Sequence, residues 1–323
     1  MPFPFLLLLP PSLNPRRPRN LLYCSSLIRA HVVVNPAAGR GAGRRAADPV
    51  ARAFRAQGWA VELCHTDRPG HGVELAAAAV RAGAHHVIAV GGDGTVHEVA
   101  NGLLACGGAA CLGVVPIGTG NDFAKLVGTY RHDPARAVAR LVGATPRRFD
   151  AGRVLDEYFV NTMGLGFGPE VVRAREAHPS RTGLWSYIAP VPRAFIGFRP
   201  FRCEIRSPEQ QVDGYMMMVE VCNGTTAGGA YRFAPDADPM DGYLDVCLVG
   251  RLSWPRFVMA VPRVMRGRHT TMKEVTVFRT RELTLATPDA PLLLHLDGEL
   301  RSSPARQCTV RVERGTLNVL VAR

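Results

Sequence analysis

Residues 90–104, VGGDGTVHEVANGLL, place Asp93 among Gly91, Gly92 and Gly94, where an apolar run gives way to helical spacing with Thr95 at the expected helix cap. Glycines in such a turn let the backbone approach a ligand closely, and amide N–H groups opening a helix suit phosphate oxygens. An aspartate beside a phosphate repels it unless a divalent cation lies between, so the turn points to Mg²⁺ and nucleotide together. The plainer alternative is a tight turn in which Asp93 accepts from backbone amides. Residues 114–125, VVPIGTGNDFAK, repeat the chemistry: Gly118, Thr119, Gly120, Asn121 and Asp122 open a second helix, with simple capping as the other reading. A third glycine-rich stretch, NPAAGRGAGR from Asn35, offers backbone to a nucleotide, but neither Lys sits in a glycine-rich turn, so it is not a Walker A loop. Far downstream, LLLHLDGELRSS ends an apolar run on Asp297, Gly298 and Glu299. Phosphoryl transfer needs a carboxylate to take the acceptor hydroxyl's proton, and Glu299 is the candidate; a hairpin turn on Asp-Gly is the bland alternative.

These residues need elements to converge them. From residue 31, short β-branched runs (HVVVN, AVELCH, HVIAV, CLGVVP) alternate with helical stretches at 44–57, 73–82 and 95–105, the pattern of a parallel sheet covered by helices. The runs end at Asn35, His65, Val90 and Pro116, and in such sheets ligands sit beyond the carboxyl ends of the strands. After about residue 147 the chain breaks into short alternating segments separated by turns, read as an antiparallel sandwich or barrel. Helical candidates interrupt it near 184–197 and 254–266. The expected architecture is therefore an α/β nucleotide-binding domain over 30–147, Rossmann-like with a parallel sheet, followed by a β-rich antiparallel sandwich over 148–323. Residues 1–29 are expected to be a disordered tail or a mis-called start, with a weak membrane anchor as the lesser alternative.

A length of 323 residues suits about two domains with their own cores. The net charge of +12 favours acidic partners, but Lys125 and Lys273 are the only lysines. Arginine-heavy coding explains much of that excess, so no nucleic acid is expected. Eight cysteines without a C-x-x-C pair suit reduced thiols in cytosol. No 18-residue apolar run occurs, so no transmembrane span is expected. The Arg-and-apolar stretches RAFIGFRPFR and WPRFVMAVPRVMRGRH suit either transient peripheral membrane association or packing on the β-domain. A homodimer is compatible with the sequence.

Taken together, NPAAG at 35–39, GGDGT at 91–95, PIGTGNDFA at 116–124 and DGE at 297–299 resemble the soluble bacterial diacylglycerol kinases and related lipid kinases. The resemblance runs from about residue 31 to the end. It implies that ATP is held by Asn35, Pro36, Ala37, Ala38, Gly39, Thr66, Gly92, Asp93, Gly94, Thr95, Val96, His97, Glu98 and Thr119. It further implies Asp93 and Asp122 in a catalytic Mg²⁺ network, Glu299 as proton acceptor with Asp297 beside it, and a structural Mg²⁺ held by the Asp241 carboxylate and the backbone carbonyls of Asp238 and Tyr243. The substrate implied is diacylglycerol or a similar lipid drawn from a membrane surface. His97 stands where the family usually has Asn, Met240 replaces a common acidic residue, and Ala230 stands where a third Gly is usual. A kinase of a soluble acceptor such as NAD and a catalytically inactive nucleotide-binding regulator are the alternatives. HEVAN, from His97, lacks the second His of a zinc-protease helix, and zinc is rejected there.

Overall fold

The computed structural model describes residues 28–130, 133–177 and 188–322. Four parallel strands form the first sheet in the order β2 (Ala60–His65), β1 (Arg29–Val34), β3 (His86–Gly91), β4 (Cys111–Pro116). The tail expected over 1–29 lies outside the described residues except at its last two positions, and Arg29 already pairs with Ala60 in β1. Val32, Val33, Val34 and 87–90 have no exposure, as continuous apolar strands covered on both faces should. On one face α1 (Ala38–Ala56) and α5 (Pro134–Val142) pack Val50, Phe54, Val138 and Leu141 against the strands. On the other, α2 (His71–Arg81) and α3 (Asp93–Ala105) contribute Ala76, Ala79, Val99 and Leu103. Gly39, Arg40 and Gly41 inside the nominal span of α1 have φ of 56°, 56° and 84°, so regular helix begins only after this turn, close to where sequence spacing starts it. The short α4 (Asp122–Leu126) follows β4.

The second half is antiparallel. β5 (Thr145–Val154) and β6 (Glu157–Phe159) lead to β7 (Thr162–Gly166), α6 (Phe167–Glu176), α7 (Pro190–Gly197), β8 (Phe201–Arg206), β9 (Gln211–Cys222) and β10 (Leu244–Gly250). Then come α8 (Trp254–Met265), β11 (Val275–Thr280), β12 (Glu282–Ala286), β13 (Leu292–Leu296), β14 (Glu299–Ser303) and β15 (Gln307–Val321). Residues 178–187, part of the helix expected at 184–197, lie outside the described residues; α7 begins at Pro190.

Period-two alternation divides the side chains of these strands between two faces, interrupted in β9 at Met217 and Met218, where the register with β10 shifts. Met163, Leu165, Val219, Val221, Leu294 and Leu296 point into the sandwich core with Ile205, Leu244 and Leu283. The opposite face of β9, carrying Met218 and Glu220, is not left to water. Phe167 of α6, Val191 of α7 and Phe257 of α8 pack over it. The last strand crosses the boundary expected at 147/148. β15 pairs antiparallel with β5 along most of its length, and Val319 pairs with Leu112 of β4, so Leu317 and Val319 lie in the core of the first sheet.

Candidate active site

The two glycine turns at the ends of β3 and β4 pack backbone to backbone. A Cβ on Gly118 would stand 2.5 Å from the Cα of Gly92, a separation only glycine permits. The Phe123 amide donates to Asp93 Oδ1 at 3.3 Å and ties the turns together. Burial, with Asp122 close by, lifts the Asp93 carboxyl to about 7. Asp122 is also buried, but it is compensated: Lys125 Nζ lies 2.9 Å from Oδ1, and the Gly229 amide donates to Oδ2 at 2.8 Å. Lys125 also donates to the Gly229 carbonyl at 2.6 Å, so this trio latches the first domain onto a loop of the second.

The Asp297-Gly298 pair is the two-residue hairpin between β13 and β14, with φ of 51° and 89° as a type I′ turn requires. Asp297 is locked on every side. Its Oδ1 accepts from the Asn161 and Thr162 amides at 2.8 and 3.0 Å, and its Oδ2 from the Val160 amide at 3.0 Å and from His97 Nδ1 at 2.8 Å. With its acceptor sites spent, Asp297 positions the hairpin rather than reacting. Glu299, the next residue after the hairpin glycine, reaches back to the GGDGT turn: its Oε1 lies 2.5 Å from where a Cβ on Gly94 would be. Burial raises the Glu299 carboxyl above its ordinary range against the opposing pull of His97, Arg301 and Arg175.

His97, expected at the nucleotide, turns the other way. It is 2% exposed, with Nδ1 on Asp297 and Nε2 2.7 Å from Glu157, which Arg301 also grips at 2.6 Å. Burial alone would lower the imidazole, but Asp297 and Glu157 outweigh it and raise it to about 9. An imidazolium between two carboxylates fits a joint between α3, β6 and the hairpin, not a phosphate contact. Glu98 likewise turns away: its oxygens accept from the Gly70 and Gly72 amides at 2.8 Å and cap the start of α2. Asn35 accepts from the Ala37 amide and donates to Thr95 Oγ1 at 3.2 Å, shaping the turn that carries Pro36, Ala37 and Ala38. Val96 is core, and the Thr66 amide donates to Val34 O at 2.9 Å beyond β2.

In the acidic turn of the second domain, where the resemblance implies a second cation at the Asp241 carboxylate and the Asp238 and Tyr243 carbonyls, the carboxylates already have partners. Arg279 donates to Asp241 Oδ2, the Tyr243 amide to Asp241 Oδ1 at 2.9 Å, and the Met240 amide to Asp238 Oδ1 at 3.0 Å. The Arg279 guanidinium of β11 also lies over the Tyr243 ring and 3.8 Å from Asp245, so a cation at Asp241 would compete with this guanidinium.

One cavity of about 570 Å³ gathers the rest. Gly39, Gly92, Asp93, Gly94, Thr119, Asp122, Asp297 and Glu299 line its polar part. Phe167, Val171, Met218, Phe257, Val261 and Val264 line an apolar part walled by α6, α8 and the outer face of β9. Sequence reasoning missed this chamber and two buried polar residues in its wall, Glu220 and His295. The available signal was a glutamate inside the apolar run MMMVEVC.

The family model "Diacylglycerol kinase catalytic domain" matches residues 29–154, and "YegS C-terminal NAD kinase beta sandwich-like domain" matches 161–321. The Bacillus subtilis protein named "Diacylglycerol kinase" is 28% identical over 275 residues, 84% of this chain and 89% of that protein. "Probable lipid kinase YegS-like" of Pseudomonas putida is 33% identical over 215 residues, 66% of this chain and 71% of that protein. A crystal structure described as a diacylglycerol kinase from Bacillus anthracis str. Sterne superposes with a TM-score of 0.69 at 19% identity, covering 92% of this chain and 98% of that one, a likeness of fold.

Proposed function

The chain belongs to the diacylglycerol kinase and YegS-like family of ATP-dependent lipid kinases, and from that premise we propose that it phosphorylates a hydroxyl of diacylglycerol or a similar lipid, with Glu299 as general base. The observation that carries this reading is the single cavity in which glycine turns suited to a triphosphate and an apolar chamber suited to an acyl chain share a wall with Glu299. The amides opening α3 and the backbone of Gly92, Gly94 and Thr119 hold the phosphates. The acceptor hydroxyl lies against Glu299, loses its proton to that carboxylate, and forms its bond to the γ-phosphorus as the bond to the β,γ-bridging oxygen breaks and ADP leaves. Burial suits Glu299 to this work, since a carboxylate with raised proton affinity is a stronger base.

Asp93 fits a divalent cation: a buried carboxylate beside a second one is relieved by positive charge. Asp122 has Lys125 on Oδ1 and the Gly229 amide on Oδ2, which leaves an acceptor site on each oxygen for such a cation. Mg²⁺ held there would neutralise charge on the transferring phosphate.

Among the described residues no helix is long and apolar enough to cross a membrane. The outer side of α8 carries exposed Trp254, Val258 and Met259, and Ile196 of α7 is 81% exposed. With Arg256 and Arg263 on the same helix, this supports transient contact with an anionic bilayer at the cytoplasmic face. Labelled ATP offered with diacylglycerol in mixed micelles, and separately with NAD, tests the reading. Label in the lipid supports it; label in NAD alone overturns it.

A further inference from the structure

Glu220, Gly164 and His295 stand side by side on three adjacent strands: Gly164 of β7 is in register with Glu220 of β9 and with His295 of β13. Register partners share a face, and this one looks away from the sandwich core toward the chamber under α6 and α8. Because the middle residue is glycine, the two side chains lean over it and meet. His295 Nε2 lies 3.2 Å from Glu220 Oε1, and a Cβ on Gly164 would collide with both.

The pair is 1% and 6% exposed and lines the same cavity as Glu299. Its hydrogen bonding is incomplete. Apart from the contact with His295, neither carboxylate oxygen of Glu220 receives a hydrogen bond, and His295 Nδ1 has no partner. A buried carboxylate left in this state is costly, and a chamber meant only for hydrocarbon would be better served by leucine. The pair also lies close to the chemistry: His295 precedes Asp297 by two residues, about 7 Å of strand, and Asp297 anchors the hairpin that carries Glu299.

We propose, on the premise of the lipid kinase reading above, that Glu220 and His295 form a specificity subsite for a second hydrogen-bond donor on the acceptor lipid, a hydroxyl or an amide N–H a few bonds from the hydroxyl that is phosphorylated. With His295 Nε2 committed to the pair, Glu220 Oε2 is an acceptor without a donor. A diester lipid has only carbonyl acceptors beyond its reacting hydroxyl and leaves that oxygen unsatisfied. A lipid bearing an extra hydroxyl or an amide N–H satisfies it. A site built to bond such a group discriminates steeply against the analogue lacking it, because the site's own buried atom is then orphaned.

Three single-chain acceptors separate the possibilities. Hydroxyethyl oleate has one hydroxyl and no other donor, N-oleoylethanolamine replaces its ester oxygen by N–H, and monooleoylglycerol adds a hydroxyl. The full-length enzyme is assayed with each in mixed micelles, alongside Glu220→Gln, which keeps volume and shape, and the double variant Glu220→Leu/His295→Leu, with ATP affinity and thermal unfolding measured in parallel. The expected result is a kcat/KM at least about tenfold higher for one or both donor-bearing lipids than for hydroxyethyl oleate. That ratio should fall several-fold in Glu220→Gln and toward unity in the double variant, with ATP affinity unchanged. Preference for the amide alone assigns the donor as N–H, and preference for the glyceride alone assigns it as hydroxyl. Equal use of all three by wild type, or a preference that survives in whichever variant folds, overturns the subsite while leaving the kinase reading intact. Transfer to no lipid by wild type overturns the kinase reading itself, and the subsite with it.

Discussion

Glu299 rests on the Cα of Gly94, although the two residues belong to different domains and lie far apart in the chain: its Oε1 occupies space 2.5 Å from where a side chain at Gly94 would begin. The DGE hairpin thereby closes onto the GGDGT turn, and a side chain at the position after Asp93 would displace the Glu299 carboxylate although the backbone there is helical and would admit one.

Gly94→Ala separates these reasons. Alanine suits the first turn of α3 and gains up to about 1 kcal/mol in helix propensity, yet its methyl displaces the Glu299 carboxylate. The expected outcome is an unfolding temperature equal to or above wild type with kcat lowered at least about tenfold. Wild-type turnover would separate Glu299 from the reaction.

Glu299→Gln removes the base and leaves the phosphate cradle. Transfer should fall by about 10² to 10⁴ while nucleotide affinity, measured by calorimetry, stays near wild type. In wild type the acidic limb of kcat against pH should lie above the ordinary carboxylate range, since burial raises this group, and that limb should vanish in the variant.

Asp93→Asn keeps shape and removes charge. Mg²⁺ should then enhance ATP binding at least about tenfold less than in wild type. A titration indistinguishable from wild type would place the cation elsewhere.

His97 makes stability pH-dependent in a stated direction. Its folded value near 9 lies above the ordinary 6.5, so its contribution is fully present below about 6.5 and is lost as pH rises through about 9. His97→Gln should therefore unfold well below wild type at pH 6, with the gap narrowing by pH 10. A gap independent of pH would mean that the imidazole is not held charged.

Ala260→Trp grows a ring from α8 into the apolar chamber beside Phe257 and Val261. Lipids with long acyl chains should lose at least about tenfold in kcat/KM while short-chain analogues keep most of theirs. Equal loss for both chain lengths would indicate that the acyl group lies outside the chamber.

Much of this molecule was readable from its residues because the turns are local. The helices opening at Asp93 and Asp122, the hairpin at Asp297-Gly298 and the strand runs each carry their signal within a few positions. What escaped is what long-range packing creates. The chamber is enclosed by α6, α7 and α8, whose inner faces, at Phe167, Val191 and Phe257, come from distant parts of the chain and meet over the outer face of β9. The 254–266 stretch was open between lying on a membrane and packing on the sheet, and α8 divides itself: Phe257 and Ala260 inward, Trp254, Val258 and Met259 outward. The motif position of His97 suggested nucleotide, but its partners Glu157 and Arg301 are 60 and 204 residues away, and no local pattern announces them.

The long ribbon of β5 and β15 bears on how the halves can move. One strand leaves the first lobe and another re-enters it alongside, hydrogen-bonded to each other nearly throughout. The halves are thus joined by a leaf spring rather than a swivel. Any relative movement of the halves would have to bend this paired ribbon, and the register shift between Glu313 and Leu317 is where its pairing is already interrupted.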